Sequence, residues 1–361
     1  MDYSKLALDH QARCRDTPGV FPDPVVVAPI QEHRQTFIIL HGRGSTAEKF
    51  CVPLLETVNS KSKQTLQRAF PHAKLIFLTA SKSRAVIYKR HLTHQWFDNW
   101  HMDDPKTNQH LPIDGLKKSI AYVQGFLQKE IEEVGPANVV LWGLSQGCAT
   151  SLSTLLTWDG EPFAAVVGMC GYLPFSNLIR EVAGSRKLKD GTYSKIEEED
   201  ENESESGSNE SSDEDSDEQE EDNGIYEENI DNDPFLHSGD DGADDEDPFY
   251  PFSDPNTLKE PSTTDLPTQA INYFRGNIDV AETTEPISQQ IPVFLGHGTA
   301  DDAVSIDFGR EAKACLQMVK VDVKMVEYQD LGHWYSEDML GDIFEFLSEK
   351  LEAREAPEGN S

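Results

Sequence analysis

The stretch VVLWGLSQGCAT, residues 139–150, places a serine between two glycines at the end of a short apolar run. Glycines two residues before and after Ser145 permit a tight strand-to-helix turn, which strains the serine backbone and presents its hydroxyl as a nucleophile. The helix behind such a turn directs unpaired backbone N–H groups toward a negative charge that forms nearby. The alternative is an ordinary loop, because a G-x-S-x-G pattern also occurs by chance. Ser145 is therefore a candidate nucleophile that its context must support.

A serine nucleophile needs a histidine base, which a carboxylate usually orients. After a strand-to-helix elbow, the expected chain order is serine, acid, histidine. Two loops fit this order: LGHGTADDAV overlaps and follows the apolar run of residues 291–295, and YQDLGHWYS follows the run of residues 321–326. They make Asp301 the candidate acid and His333 the candidate base, with Asp302 as a rival carboxylate.

Two other histidines follow apolar runs but precede a glycine. His41 lies in HGRG after residues 36–40, and His297 lies in LGHG. In tight turns of this kind we expect a histidine to contribute packing and turn hydrogen bonds. Acyl transfer also needs two N–H donors for the developing oxyanion. The backbone N–H groups of Gln146 and Arg43 are the candidates, with an ordinary turn as the alternative for the HGRG loop.

The elements that must position these residues alternate between strand and helix. Short apolar runs predict strands over residues 36–40, 73–78, 139–142, 164–169, 291–295 and 321–326. Apolar stripes and Ala/Leu-rich stretches predict helices over residues 114–134, 149–156, 306–318 and 340–351, and another that begins near residue 45. This alternation predicts an α/β fold whose mostly parallel sheet carries helices on both faces, with the functional site at the carboxyl ends of the strands.

The negative charge of the chain is concentrated in one segment. The net charge is −34 over 361 residues, and residues 196–250 contain 26 of the 65 acidic residues and none of the 31 lysines and arginines. Such a segment lacks the apolar surface that would offset the entropy cost of ordering, so we predict a disordered acidic insertion over residues 185–262. The predicted organisation is a discontinuous α/β domain over residues 24–184 and 286–353, a connecting segment over 263–285 and a disordered tail over 354–361.

The composition also argues against several classes of protein. Five cysteines without paired spacing, and an N-terminus without an apolar signal core, favour a cytoplasmic or nuclear location. No apolar run approaches the roughly 18 residues of a membrane span, so any membrane contact is expected to be peripheral. The charge disfavours direct nucleic-acid binding. Metal-ligand spacings and a nucleotide-binding glycine fingerprint are absent from the sequence, so we expect neither a metal nor a cofactor.

The segments LHGRGSTAEKF, FPHAKLIF, QWFDNW, PANVVLWGLSQGC, GYLP, VFLGHGTADDAV and YQDLGHWYS follow one another over about residues 34–180 and 290–350. In order and spacing they resemble the motifs of the acyl-protein thioesterase family, also called the phospholipase/carboxylesterase family. The resemblance implies an α/β-hydrolase fold and a Ser-His-Asp triad. The implied site comprises Ser145 as the nucleophile, Asp301 rather than Asp302 as the acid, His333 as the base, and Arg43 and Gln146 as backbone oxyanion donors.

The resemblance implies a substrate as well. We expect hydrolysis of fatty-acyl thioesters or esters, with an S-acylated protein or a lysophospholipid as the substrate. The match places Trp96 and Phe97 near the acyl-binding groove, although both rings equally suit a core. Arg43 departs from the usual leucine of the family. We expect its side chain to be solvated, with a cation at the mouth of the groove as the alternative.

Two other functions stay open. A carboxylesterase for small soluble esters would use the same triad and the same oxyanion donors. A non-catalytic interaction protein would instead use the acidic insertion to bind a basic partner. The sequence therefore predicts a serine hydrolase and leaves the choice between long-chain acyl substrates and small esters to measurement.

Overall fold

The structure is a computed structural model that describes residues 2–13, 16–99, 108, 110–187, 193–195 and 265–352. These residues all belong to one unit, formed by residues 1–196 and 263–361. Most of the acidic insertion, including residues 196–262, and the tail over 354–361 lie outside the described residues. Their disorder stays a prediction.

Eleven strands are present in the described part of the chain. In chain order they are β1 (Val25–Val27), β2 (Gln35–Leu40), β3 (Ala73–Leu78), β4 (Lys82–Ala85), β5 (His91–His94), β6 (Val139–Leu144), β7 (Ala165–Met169), β8 (Ser185–Lys187), β9 (Tyr193–Lys195), β10 (Val293–Gly298) and β11 (Val323–Tyr328). Seven of them form one sheet in the order β1-β3-β2-β6-β7-β10-β11. Strand β1 is antiparallel to β3, and the other neighbours pair in parallel. The remaining four strands form the antiparallel pairs β4–β5 and β8–β9.

Helices cover both faces of the sheet. They are α1 (Tyr3–Arg13), α2 (Ala47–Glu56), α3 (Leu66–Ala69), α4 (Leu111–Val134), α5 (Gln146–Leu156), α6 (Ser176–Ala183), α7 (Leu266–Asn277), α8 (Ile306–Met318) and α9 (Glu337–Glu352). Alternate residues of a strand point to opposite faces. Ile38 therefore packs in a core with α4, α5, α7 and α8, whereas Phe37 packs in a second core with α1, α2 and α9. The mostly parallel sheet with helices on both faces confirms the predicted architecture.

Helix α4 shows how the apolar pattern produces this packing. Its buried apolar side chains recur at steps of three and four residues: Leu116, Ile120, Val123, Leu127 and Ile131. They form a single stripe along the helix, and all of them belong to the core on the α5 side of the sheet. Burial of a side chain of this size stabilises the fold by roughly 1.5–3 kcal/mol.

The structure differs from the prediction at several elements. The sequence does not predict α1, β1 or the β4–β5 pair. Helix α7 lies in the predicted connecting segment over 263–285, and its Ile271 and Phe274 are fully buried, so this segment belongs to the domain. Strands β8 and β9 lie within residues 185–262, where the sequence predicts the disordered insertion. No helix in the described ranges is both long enough and apolar enough to span a membrane.

Candidate active site

Ser145 lies at the junction of β6 and α5 with φ 55° and ψ −121°, a conformation that L residues rarely adopt. Two glycines make room for this turn. A Cβ at Gly143 would lie 2.2 Å from the Gly147 carbonyl oxygen, and a Cβ at Gly147 would lie 2.5 Å from the Leu40 carbonyl oxygen. Both distances are too short for any side chain, so the G-x-S-x-G spacing is a steric requirement of the elbow.

A chain of hydrogen bonds connects three strand ends. His333 Nε2 lies 2.9 Å from Ser145 Oγ, and His333 Nδ1 lies 2.8 Å from Asp301 Oδ2. Because an ionised carboxylate only accepts hydrogen bonds, Nδ1 carries the proton and Nε2 can accept the proton of the serine hydroxyl. The three predicted residues therefore meet at the carboxyl ends of β6, β10 and β11. Asp302, the rival carboxylate, is exposed and lies outside this chain of hydrogen bonds.

Asp301 is held as an anion in a buried position. One carboxylate oxygen accepts two backbone N–H groups, the closer from Val304 at 2.8 Å. The other oxygen faces His333 Nδ1 and, at 3.2 Å, His297 Nε2. Burial alone would raise the pKa of Asp301, but hydrogen bonds from His297, His333 and the Val304 N–H hold it well below its usual range. The acid is thus charged and fixed before a substrate arrives.

His297 contacts the candidate acid, which the sequence analysis did not predict. Its ring is buried at the end of β10, and its Nε2 lies 2.8 Å from the Val304 carbonyl oxygen in addition to facing Asp301. Helix α8 packs closely against the ring, since a Cβ at Gly309 would lie 2.5 Å from His297 Nδ1. The ring therefore supports the acid rather than merely filling a turn. A histidine four residues before the candidate acid is the sequence signal that could have found it.

The loops that carry the acid and the base are hydrogen-bonded to each other. The Thr299 N–H donates to the Tyr328 carbonyl at 2.9 Å, and the Ala300 N–H donates to the Leu331 carbonyl at 3.0 Å. A Cβ at Gly298 would lie only 2.0 Å from that Leu331 oxygen. Glycine is therefore required where the two loops cross, and this crossing brings the acid within reach of the base.

The HGRG loop after β2 lies beside the nucleophile, because a Cβ at Gly42 would be 3.7 Å from Ser145 Oγ. His41 fixes the loop: its Nδ1 donates to the Gly42 carbonyl at 2.6 Å, and its Nε2 accepts the Ala80 N–H at 3.0 Å. Burial lowers the pKa of His41 to about 4, so the ring stays neutral at pH 7. The expected role of His41 in turn hydrogen bonds agrees with these contacts.

Two backbone N–H groups near the nucleophile are available as donors. Gln146 is the first residue of α5, so its N–H has no partner within the helix. The backbone N–H of Arg43 donates to no group in the part of the chain that the structure describes. Gln146 follows Ser145 in the chain, and Arg43 follows Gly42, which lies close to Ser145. Both N–H groups are therefore near the nucleophile, as oxyanion donors must be.

The side chain of Gln146 anchors the QWFDNW segment. Its Oε1 accepts the Trp96 N–H at 2.9 Å, and its Nε2 donates to the Phe97 carbonyl at 2.7 Å. The Trp96 indole N–H in turn donates to the His41 carbonyl at 2.8 Å. Trp96 and Phe97 are only 1% and 2% exposed. These contacts support the alternative in which both rings belong to the core, where they connect the elbow to the HGRG loop.

Trp334 is a second side chain that the sequence analysis missed. It follows the base directly and is 42% exposed. Its ring packs edge-on against Phe50, with centroids 6.0 Å apart, and stacks on Tyr335 at 5.1 Å. The indole is therefore a partly exposed apolar side chain at the position that follows His333 in the chain.

Comparison with known proteins places this chain in a family. The sequence profile described as phospholipase/carboxylesterase matches residues 22–188 and 264–351, which is more than half of the chain. The chain belongs to the phospholipase/carboxylesterase family. Membership confirms the predicted family and, at that level, the prediction of a serine hydrolase. The match also includes helix α7 and is interrupted between residues 188 and 264, so the acidic segment is an insertion relative to the family.

Curated relatives are similar over part of their length. The chain is 30% identical over 152 residues to acyl-protein thioesterase 1 of Saccharomyces cerevisiae, which covers 40% of this chain and 62% of the relative. It is 27% identical over 154 residues to acyl-protein thioesterase 1 of Cryptococcus neoformans, which covers 42% of this chain and 60% of the relative. The chain thus spans about three fifths of the length of these two relatives.

Solved structures agree on the fold. The crystal structure of Zea mays acyl-protein thioesterase 2 superposes with a TM-score of 0.52 at 18% identity and covers 91% of this chain and 98% of that one. Arabidopsis thaliana SOBER1 superposes with a TM-score of 0.50 at 17% identity and covers 88% of this chain and 99% of that one. At this identity the likeness shows the fold alone, and it confirms the predicted α/β-hydrolase fold.

Proposed function

We propose that this chain cleaves acyl thioesters or esters through a covalent acyl-enzyme on Ser145. The observation that carries the proposal is the hydrogen-bonded series from Ser145 through His333 to Asp301. A serine hydroxyl is a weak nucleophile near neutral pH, and this arrangement supplies the base and orients it.

In the first step, His333 Nε2 takes the hydroxyl proton as Ser145 Oγ bonds to the scissile carbonyl carbon. Asp301 stabilises the positive charge that develops on the imidazole, and the backbone N–H groups of Arg43 and Gln146 stabilise the oxyanion. The tetrahedral intermediate collapses to an ester on Ser145, and His333 gives its proton to the leaving thiolate or alkoxide. Water, deprotonated by His333, then hydrolyses the ester and regenerates the hydroxyl.

The proposed substrates are fatty-acyl thioesters of S-acylated proteins, with the acyl esters of lysophospholipids as the oxygen counterparts. Two observations support this choice: the named acyl-protein thioesterase relatives and the partial exposure of Trp334, which follows the proposed base in the chain. Substrates of this kind are presented at membranes, with which we propose only peripheral contact. A carboxylesterase for small soluble esters is the alternative, because the same catalytic groups serve it equally.

The test measures kcat/KM for acyl thioesters and oxygen esters from two to sixteen carbons. We expect efficiency to rise with chain length on the thioesters. Ser145→Ala should lower kcat on the order of 10⁶-fold because no other group can form the acyl-enzyme.

Two results would contradict parts of this proposal. Activity confined to short oxygen esters would identify a small-molecule carboxylesterase. Undiminished turnover in Ser145→Ala would remove the proposed mechanism altogether. An unchanged cellular role in Ser145→Ala would instead favour the non-catalytic alternative, in which the acidic insertion binds a basic partner.

A further inference from the structure

The Arg43 side chain is not solvated in the way that the sequence analysis expects. The residue is half-buried, and its guanidinium donates a hydrogen bond to Asn99 Oδ1. The guanidinium carbon also lies 5.7 Å from the centre of the Tyr88 ring, within the range of a cation–π contact. Asn99 is a neutral acceptor, so the positive charge is oriented by these contacts and is not cancelled by them.

The Tyr172 hydroxyl lies near enough to this guanidinium for Arg43 to lower its pKa, through its charge and a side-chain interaction. Tyr172 is 8% exposed, and its hydroxyl proton has no acceptor among the described residues. Burial raises the pKa of Tyr172 to about 12, against the opposing effect of the nearby Arg43 charge. A buried hydroxyl proton without an acceptor is unfavourable, so a ligand oxygen that accepts its hydrogen bond would be bound more tightly.

These two groups are complementary to an anion. The guanidinium has N–H groups beyond the one that bonds to Asn99, and the phenol offers one more donor. A carboxylate or phosphate oxygen can accept from both, in the charge-assisted hydrogen bonds that arginine forms best. Because the backbone N–H of Arg43 is also a proposed oxyanion donor, such an anion would lie within one arginine side chain of the scissile carbonyl.

We propose that Arg43 and Tyr172 form an anion-binding subsite that selects acyl substrates with a negative charge close to the scissile bond. The inference rests on the proposed function and narrows its substrate class. A site built to hydrogen-bond a substrate group discriminates strongly against substrates that lack it, because the donors are then left unpaired. The charge can come from the acyl chain or from the leaving group, and both would be recognised by the same donors.

The experiment compares three esters of 4-nitrophenol or its 3-carboxy derivative, each with a six-carbon acyl chain. The neutral reference is 4-nitrophenyl hexanoate. The 5-carboxypentanoyl ester of 4-nitrophenol places the charge on the acyl side, and 3-carboxy-4-nitrophenyl hexanoate places it on the leaving group. The quantity measured is the ratio of kcat/KM for each charged ester to that for the reference.

We expect Arg43→Leu to lower at least one of these ratios by about tenfold or more, and Tyr172→Phe to lower the same ratio by a smaller factor. The ratio that falls identifies the side of the scissile bond that carries the charge. Arg84→Leu is the matched control, because Arg84 is exposed on β4 and the change removes the same charge. It should leave both ratios unchanged.

Several outcomes would overturn the subsite. Unchanged ratios in Arg43→Leu would do so, as would equal losses on charged and neutral esters, which indicate a purely structural role. An equal fall of the same ratio in Arg84→Leu would indicate that the overall electrostatic field of the protein, and not a subsite, favours charged esters.

A binding measurement separates this inference from the proposed function. Calorimetric titration of Ser145→Ala with the charged and neutral esters reports affinity without turnover. Tighter binding of a charged ester, lost in Ser145→Ala/Arg43→Leu, supports the subsite even if the intact chain hydrolyses none of the esters. Equal affinities of Ser145→Ala and Ser145→Ala/Arg43→Leu for the charged esters overturn the subsite even if the intact chain hydrolyses these esters efficiently.

Discussion

Two histidine–glycine pairs lie at the carboxyl ends of parallel strands, His41-Gly42 after β2 and His297-Gly298 at the end of β10. Both imidazoles are buried, yet they carry opposite tautomers. His41 accepts a backbone N–H at Nε2, so its proton is on Nδ1. His297 faces a carbonyl and a carboxylate with Nε2, so its proton is on Nε2.

The difference follows from what each pair contacts. The first ring bonds only to backbone groups and orders the loop beside the nucleophile. The second ring lies against Asp301, which in turn contacts His333, the proposed base. The same dipeptide therefore lies beside the proposed oxyanion donors in one place and beside the proposed acid in the other, and the loop that follows it decides which.

The largest expected effect comes from removing the carboxylate of Asp301, which only the second of these two histidines contacts. Asp301→Asn should lower kcat by about 10⁴-fold, because an amide no longer holds the Nδ1–H tautomer of His333. Steady-state kinetics on the preferred acyl substrate would measure this change. Asp302→Asn is the matched control and should retain activity, since that side chain is exposed. A larger loss in Asp302→Asn would reverse the assignment of the acid.

A smaller effect, on stability, is expected at the first pair. The pKa of folded His41 is about 4 against an ordinary 6.5, so the unfolded state binds more protons between these values. The free energy of unfolding therefore falls as pH is lowered through this window. Between pH 7 and pH 5 we expect this residue alone to account for a loss of about 2 kcal/mol.

Urea unfolding at pH 7 and pH 5 would measure this loss in the wild type and in His41→Gln, which cannot titrate. The variant should be less stable at pH 7, because the Ala80 N–H loses its acceptor, but should lose less stability on acidification. His91→Gln, at an exposed histidine on β5, should keep the wild-type pH dependence. Identical pH dependence in His41→Gln would show that His41 is not the responsible group.

The smallest effect is expected at the histidine of the second pair. His297→Leu should lower kcat about tenfold, because Asp301 keeps its two backbone donors but loses a side-chain contact that limits its position. His297→Gln retains an N–H donor and should recover part of the activity. Comparing kcat and KM separately is informative, since a positioning role predicts a loss mainly in kcat. Equal activity in the Leu and Gln variants would indicate that only the volume of the ring matters.

Much of the core of the fold could be predicted from local pattern. Strand β3 and helix α8 have the predicted bounds, and the strands that carry the triad differ from prediction by a few residues at their ends. The proposed triad was predictable because each of its members lies within five residues of the end of a strand, in the chain order expected after a strand-to-helix elbow. Ser145, Asp301 and His333 thus need only the strand order to meet.

Most of the missed features depend on partners distant in sequence. Strand β1 has three residues and exists because it pairs with β3, which no local pattern reports. Trp96 and Phe97 are hydrogen-bonded through their backbones to Gln146, which lies 50 and 49 positions away. The contact of His297 with Asp301 is the exception, since these residues are four positions apart. The side-chain direction of Arg43 follows from Asn99 and Tyr88, which lie 56 and 45 positions further along the chain.

The strained backbone of Ser145 has a consequence for protein engineering. A non-glycine residue in such a conformation costs on the order of 1–3 kcal/mol, and glycine is the replacement that relieves this cost. A screen that rewards heat resistance alone would therefore favour glycine at this position and discard the nucleophile with the strain. Directed evolution of this scaffold must score turnover in every round, and must seek its added robustness in the helices that cover the sheet.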